Sequence, residues 1–351
     1  MKKILFATTA LVATAGAASA EIALSGSAEI GILGGDAYAT TQLHTDIDVT
    51  FTMTGEADNG LTFGASIDLD ESDGRNVGAH THDVTIDEDA VEDFMVDEEV
   101  TLTTTAAGAS FGASNAFDNT RQDGESIFVA YGGARLDMGD VDGAFDAAMQ
   151  EVALAGGSIA DDETLHAGYN GNGGLDGFHD GQIATFSYTA SGFTGYASME
   201  IDDSGDLNAV WGVGAKYVAN MTGATLTMGA GYQSVSNNAG DDMNVIGVSA
   251  KVALDAGFSF AANYSEMKEN GDKVGDHWAI GAGYEMNQIA IGVNYGEYNT
   301  PGSDDKLSGF GVAAAYDLGG GLSAKFGYSD SNLPGTEGDS NQYSLGLAMS
   351  F

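Results

Sequence analysis

Carboxylates on the polar face of alternating segments are the residues of this 351-residue chain that could do chemistry. In residues 42–55, Asp46 and Asp48 alternate with Ile47 and Val49, so the acidic side chains share one face of a predicted strand. Over all such segments this face carries the carboxylates Glu29, Asp46, Asp48, Asp68, Asp137, Glu200, Glu285 and Asp317, and the bases Arg135, Lys216, Lys251 and Lys325. Each residue alone is typical of a water-facing position. If the face lines a pore, however, the excess of carboxylates favours cations.

Alternation with a period of two predicts the elements that would position these side chains. The candidate strands are 21–33, 42–55, 60–70, 125–132, 134–140, 182–190, 193–201, 208–219, 222–235, 243–254, 256–267, 276–286, 288–298, 307–318, 320–330 and 340–351. Strands of about ten residues, tilted by about 45°, span a hydrocarbon layer, and backbone groups in lipid require a closed sheet. Apolar-out and polar-in alternation therefore predicts an all-β, 16-stranded antiparallel transmembrane barrel. Residues 100–106 and 109–115 could add two more strands, which would make eighteen.

The final segment shows the alternation most clearly. In 340–351, Leu345, Leu347 and Met349 lie on one side, while Ser344 and Gly346 lie on the other. We expect the first side to face lipid or a neighbouring subunit and the second to face water. We also expect this strand to pair with 21–33, because a closed sheet leaves no backbone edge in hydrocarbon.

The predicted connections are of two kinds. Short turns alternate with longer polar connections at 236–242, 268–275, 299–306 and 331–339. Two long segments lose the alternation: residues 72–124 form a predicted acidic extracellular loop, and residues 141–181 form a second irregular segment. The inward positions of the later strands are mostly small residues, which leave room for water or for a loop folded back inside.

The N-terminus predicts export. Lys2 and Lys3, an apolar run from Ile4, and Ala18-Ser19-Ala20 make a secretory signal peptide over residues 1–20, with Glu21 as the first mature residue and 21–351 as a single barrel domain. The chain contains no cysteine, which excludes disulfide and thiol chemistry. The formal charge is −41, and loss of Lys2 and Lys3 makes it −43, so nucleic acid is excluded as a partner and cations are attracted. A salt-adapted surface would account for part of this charge.

Several segments resemble the general diffusion porins of alphaproteobacteria, of the Rhodobacter and Roseobacter group. The resemblance lies in FTMTGEADNGLTFGAS (51–66), YGGARLDMGDVDGAFDAAMQE (131–151), HAGYNGNGGLDG (166–177), YDLGGGLSAKFGYSD (316–330) and the ending SLGLAMSF. It covers essentially the mature chain except the acidic insert. It implies a homotrimer in the cell outer membrane that lets ions and small hydrophilic solutes diffuse passively. The terminal Phe351 is similar to the aromatic ending by which the outer-membrane assembly machinery recognises its substrates.

The resemblance also implies that 141–181 folds into the lumen as a constriction loop. The acidic residues that it would supply there are Asp142, Asp146, Glu151, Asp161, Asp162 and Glu163. Related porins set such a loop against a cluster of arginines, whereas this chain has only Arg75, Arg121 and Arg135, which favours cation preference. The paired carboxylates Asp161, Asp162 and Glu163 are candidates for Ca²⁺, which takes oxygen ligands. No other cofactor and no catalytic residue is predicted.

Two other functions are open from the sequence. An outer-membrane hydrolase would need a nucleophile and a base held together, and none of the histidines lies in a recognisable catalytic motif. His80 and His82, followed by Asp83, could form a metal cluster in a flexible acidic loop. A structural or adhesive barrel with a blocked lumen is the second alternative.

Overall fold

The chain folds into a closed barrel in the computed structural model. The structure describes residues 21–36, 38, 40–70, 121–159, 166–179, 181–202, 204–205, 207–236, 242–303, 306–334 and 340–351. Most of the acidic insert, including 100–115, His80 and His82, lies outside these residues, as does the predicted signal peptide. The first strand begins at Glu21, the residue predicted to start the mature chain.

Sixteen antiparallel strands make up the barrel, each paired with its neighbours in sequence. They are β1 (Glu21–Gly35), β2 (Gln42–Glu56), β3 (Thr62–Asp70), β4 (Arg121–Tyr131), β5 (Ala134–Asp140), β6 (Gln182–Ala190), β7 (Phe193–Glu200), β8 (Val210–Met221), β9 (Ala224–Ser236), β10 (Asp242–Leu254), β11 (Phe258–Glu269), β12 (Asp272–Met286), β13 (Ile289–Asn299), β14 (Lys306–Gly319), β15 (Leu322–Asn332) and β16 (Ser340–Ser350). The predicted sixteen-stranded barrel is confirmed. In the alternative with eighteen strands, two more strands would lie between β3 and β4, but among the described strands β3 pairs directly with β4.

The seam of the barrel is formed by the first and last strands. β16 pairs antiparallel with β1, from Ser27 opposite Ser350 to Gly35 opposite Gln342. Beyond the strand, the backbone N–H of Phe351 donates to the carbonyl of Gly26 at 2.9 Å. The predicted pairing is confirmed, and no strand edge is left open among the described strands.

The two faces of the strands differ as the alternation predicts. Outward residues such as Leu345 and Ile280 are exposed in the single chain, while inward residues such as Ser344 and Ala279 are buried. A water-soluble sheet would hide the apolar face instead, so this barrel is built for an apolar surrounding. Among the described residues, no helix combines the length and apolar character needed to cross a membrane.

Two-residue turns with positive φ join strands at both ends of the barrel. At one end two-residue turns contain residues with positive φ, such as Ser191 (52°) and Gly192 (82°), which suit a tight hairpin. One prediction at the other end is wrong. The long connection expected at 268–275 is a two-residue turn of Asn270 (φ 52°) and Gly271 (φ 88°), because β11 and β12 extend into that stretch.

Candidate functional site

The segment after β5 enters the barrel and runs along its inner wall. It forms one short helix, α1 (Ala144–Ala148), which packs against β7, β8 and β9. The backbone N–H of Ala144 donates to Ser198 Oγ on β7 at 2.8 Å, and that of Gln150 donates to Ser249 Oγ on β10 at 2.8 Å. The segment then reaches β15, where Lys325 Nζ donates to the Ser158 carbonyl at 2.9 Å.

The same segment returns along the wall in the opposite direction. The N–H of Ala167 donates to Ser331 Oγ on β15 at 2.9 Å, and the carbonyl of Gly168 lies 2.9 Å from His277 Nε2 on β12. Further on, the N–H of Leu175 donates to Gln233 Oε1 on β9 at 2.7 Å. Residues 141–159 and 166–179 therefore form an inward-folded loop, which we call the constriction loop.

Small inward residues on the strands provide the surface on which the loop lies. Phe145 packs on Gly231 and Gly247, where a Cβ on either glycine would lie 2.8 Å from the aromatic ring. At Gly281 a Cβ would collide with the carbonyl of Val152. The sequence left open whether these small residues make room for water or for a loop folded back inside. The structure shows that they make room for the loop.

Apolar side chains complete the anchoring of the loop. Phe145, only 1% exposed, forms a buried cluster with the loop residues Met149 and Leu175 and with Val235 and Val245 of the wall. Ile159 packs against Leu33 of β1 at the far end. Because these residues fill the space between loop and wall, the loop is fixed along its described length.

The contacts of the loop fall on twelve of the sixteen described strands. They fall on β6 to β16 and on β1, where Ile159 meets Gly31. The remaining arc, β2 to β5, carries the inward carboxylates Asp46, Asp48, Asp68 and Asp137. The loop therefore covers most of the inner wall, and the uncovered part is an acidic arc of four strands.

Acidic side chains cluster in the first part of the loop. Asp142 and Glu151 are exposed, and Glu151 accepts a hydrogen bond from the Tyr169 hydroxyl at 2.7 Å. Burial, with a smaller contribution from the negative charge of Asp142, raises the pKa of Asp146 to about 7. Asp161, Asp162 and Glu163 lie outside the described residues, and the Ca²⁺ site predicted on them stays a prediction.

Asp176 is a residue of the loop that the sequence analysis missed. Its carboxylate accepts hydrogen bonds from the N–H of Gly143, at 2.8 Å, and from the side chain of Gln233. Burial raises the pKa of Asp176 to about 6. Asp176 therefore joins the end of the loop to its beginning and to β9. The sequence gives no signal for this role, because Gly143 and Gln233 are both distant from Asp176 along the chain.

Three of the four predicted wall bases are engaged by neighbours. Arg135 donates through Nε to Asp137 Oδ2 at 2.8 Å and lies 3.8 Å from the centre of the Phe128 ring. Lys216 Nζ donates to the Ala147 carbonyl at 2.8 Å, as Lys325 does to that of Ser158. The two lysines therefore hold the loop backbone and the arginine is paired with a carboxylate. Lys251 is half-buried on the inner face of β10.

The other predicted wall carboxylates differ in burial and in position along the barrel. Glu200 is inward but only 2% exposed, because the loop covers it and its Oε1 accepts from the N–H groups of His179 (3.0 Å) and Gly181 (2.9 Å). Glu285 and Asp317 lie at the short-turn end, where Asp317 Oδ1 accepts from the N–H of Gly319 at 2.7 Å.

Comparisons with known proteins agree with this architecture. A family model described as "Gram-negative porin" matches residues 7–347. A porin of Rhodobacter capsulatus is 24% identical over 344 residues, covering 90% of this chain and 96% of that porin. A porin structure refined at 1.8 Å resolution superposes with a TM-score of 0.63 at 19% identity, covering 94% of this chain and 100% of that one. A triple mutant of Rhodopseudomonas blastica porin gives a TM-score of 0.59 at 18% identity with the same coverages.

The family match extends over nearly the whole sequence, and the structural similarity covers 94% of this chain. The chain therefore belongs to the Gram-negative porin family, whose barrels are outer-membrane channels for the passive diffusion of ions and small hydrophilic solutes.

Proposed function

We propose that this channel passes cations in preference to anions. The observation that carries the proposal is the charge balance of the passage. Arg135 is paired with Asp137 of the same arc, so these two charges offset each other. The remaining carboxylates are Asp46, Asp48 and Asp68 of the arc and Asp142, Asp146 and Glu151 of the loop, and they outnumber the lysines Lys216, Lys251 and Lys325. A diffusing ion therefore meets more negative than positive charge at the narrowest level.

The expected preference is moderate and depends on salt. A carboxylate 4 Å from an ion contributes about 1 kcal/mol in a water-like dielectric. The Debye length falls from about 30 Å at 0.01 M salt to about 10 Å at 0.1 M, so the preference is strongest at low ionic strength. Several carboxylates acting together give a cation preference without a strong binding site that would slow transport.

The proposal is tested by the zero-current potential of the purified channel in a planar bilayer across a tenfold KCl gradient. We expect the sign of a cation-selective channel. Glu151→Gln should reduce the potential, while Asp58→Asn, a matched change in the exposed turn after β2, should leave it unchanged. A potential of anion-selective sign in the unmodified protein would refute the proposal.

We further propose that the mature channel starts at Glu21 and assembles as a homotrimer in outer-membrane lipid, with Phe351 as the assembly signal. The resemblance to alphaproteobacterial porins supports this proposal. The exposed position of Phe351 at the open end of β16, with 72% of the side chain accessible, is consistent with recognition by the assembly machinery. Mass spectrometry of the native complex tests both points: it gives the N-terminus and the number of chains together.

A further inference from the structure

Three side chains with metal-binding atoms converge on the inner wall of β1 and β2. Glu29 is paired across the strands with Asp46, and Gly31 is paired with His44, so all three side chains project from neighbouring inward positions. Their ligand atoms all lie within 4.8 Å of one another. The group is separate from the constriction-loop carboxylates, and its histidine distinguishes it from a simple acidic patch.

His44 gives the second, independent observation. The residue is only 7% exposed, and its Nε2 has no hydrogen-bond partner among the described residues. This atom lies 3.7 Å from Glu29 Oε2, too far for a hydrogen bond. Buried polar atoms are nearly always satisfied, so an imidazole nitrogen directed at a carboxylate without bonding to it points to a missing ligand.

We propose that Glu29, His44 and Asp46 form a binding site for a divalent transition-metal ion of the Zn²⁺ class. One imidazole and two carboxylates are a ligand set that Zn²⁺ uses when it keeps a fourth position for water. Imidazole nitrogen favours such ions over Ca²⁺ and Mg²⁺, which prefer oxygen ligands. The open position would face the lumen.

The geometry requires only side-chain movement. Tetrahedral Zn²⁺ with bonds of about 2.0–2.1 Å places its ligand atoms about 3.3 Å apart. The 3.7 Å between His44 Nε2 and Glu29 Oε2 is close to this value. The most distant pair of ligand atoms, within 4.8 Å, would have to approach further, which rotation of a carboxylate can supply.

A neighbouring lysine orients the site and does not cancel its charge. Lys325 Nζ lies 3.4 Å from the other oxygen of Glu29, Oε1, and also holds the Ser158 carbonyl of the loop. Glu29 thus keeps Oε2 toward His44. The two carboxylates and the ammonium sum to one net negative charge, and Asp48 lies next along the inner face of β2. A divalent cation would therefore be attracted.

The proposal is tested by titrating the full-length mature channel, purified and folded in detergent, with Zn²⁺ in an isothermal calorimeter. Excess Mg²⁺ is present throughout, because it occupies sites made of carboxylates alone. We expect one Zn²⁺ per chain. His44→Gln should weaken binding by at least about tenfold, since even partners of metal ligands contribute 10- to 100-fold. His179→Gln is the matched control, because His179 lies on the loop near β8 and its ring bonds the Asn208 carbonyl.

Two further measurements make the result specific. Co²⁺ in place of Zn²⁺ should give a visible ligand-field absorption that is lost in His44→Gln and in Asp46→Asn, and restored by His44→Cys, because a thiolate also binds these metals. In a bilayer, Zn²⁺ should lower the K⁺ current of the unmodified channel but not that of His44→Gln. The far-ultraviolet circular dichroism of each zinc-free variant, equal to the β-sheet spectrum of the unmodified channel, shows that it is folded.

Three results would overturn the proposal. One is the absence of a one-per-chain Zn²⁺ site in the unmodified protein. The second is equal Zn²⁺ affinity in His44→Gln and the unmodified channel. The third is loss of binding only when His80 and His82 are both changed to Gln, which would place the metal in the acidic insert instead.

Discussion

Removing the aromatic ring of Phe145 tests the structural basis of the constriction most directly. The side chain is 1% exposed and lies between the loop and the wall, where it contacts Gly231 and Gly247 and joins a cluster with Met149. Phe145→Ala leaves a cavity that rigid strands cannot close. Truncation of a buried Phe to Ala typically costs about 3–5 kcal/mol. Here the cost falls on docking of the loop, because the ring takes no part in the strand ladder of the barrel.

The loss can be converted into a change in loop opening. Each 1.4 kcal/mol corresponds to a factor of about ten, so opening of this part of the loop should become about 10²- to 10³·⁵-fold more frequent. The loop would then leave the wall transiently while its other anchors, at Val152 and Ile159, still hold. We expect loss of amide protection in Ala144–Ala148 and added high-conductance openings, with an unchanged melting temperature of the barrel.

Amide hydrogen exchange read by mass spectrometry, together with single-channel recording, measures both effects. Phe178→Ala is the matched control: it removes the same atoms from the same loop, but Phe178 is 43% exposed. Such a surface change should alter stability by no more than about 0.5 kcal/mol. If amide exchange and conductance were the same in Phe145→Ala and Phe178→Ala, the Phe145 ring would not anchor the loop.

Three further predictions concern the loop and the C-terminus. Deleting most of residues 142–163 should raise single-channel conductance and the size limit for solutes, and an unchanged limit would contradict an inward-folded loop. Lowering the pH from 8 to 5 should reduce cation preference, because Asp146 with a pKa of about 7 loses its negative charge; Asp146→Asn should remove this step. The folded-state pKa exceeds the ordinary 3.8, so docking of the loop should also weaken as the pH rises from 3.8 through about 7. Removing Phe351 should lower the yield of assembled barrels in the outer membrane, whereas Phe351→Trp should retain it; equal yields would exclude an assembly role.

The alternation of residues was enough to predict the strands, because lipid on one face and water on the other impose a period of two. The prediction of a long connection at 268–275 failed because this stretch lies where the contrast between lipid on one face and water on the other ends. In β11 and β12 the residues around Glu266 and Asp276 lie beyond the apolar band, so both faces are polar and the pattern is typical of a loop. The Asn270-Gly271 dipeptide was the signal that could have corrected it, because it suits a two-residue hairpin turn.

The sequence predicted which side chains of the strands face the lumen, but it did not predict which of them contact the loop. Parity along each strand placed Glu200, Lys216 and Lys325 on the inner face, but it could not show that the loop covers the first and is held by the other two. These contacts join residues far apart in sequence, through a segment without periodicity. The path of such a segment is decided by packing, as between Phe145 and Gly231, and not by local pattern.

The distribution of small residues connects the fold to the charge of the passage. Glycines on β8, β9, β10, β12, β13 and β14 allow the loop to approach the wall closely, and the loop contacts twelve of the sixteen strands. In the covered part of the wall, Glu200, Lys216 and Lys325 bond to the loop, while the carboxylates of β2 to β5 lie on the part that the loop leaves uncovered. Ion preference should therefore respond to substitutions at Asp46, Asp48 or Asp68 more than to equal substitutions at Glu200. The asymmetry arises because Glu200 is buried beneath the loop, whereas Asp46, Asp48 and Asp68 are half-exposed on the part of the wall that the loop leaves uncovered.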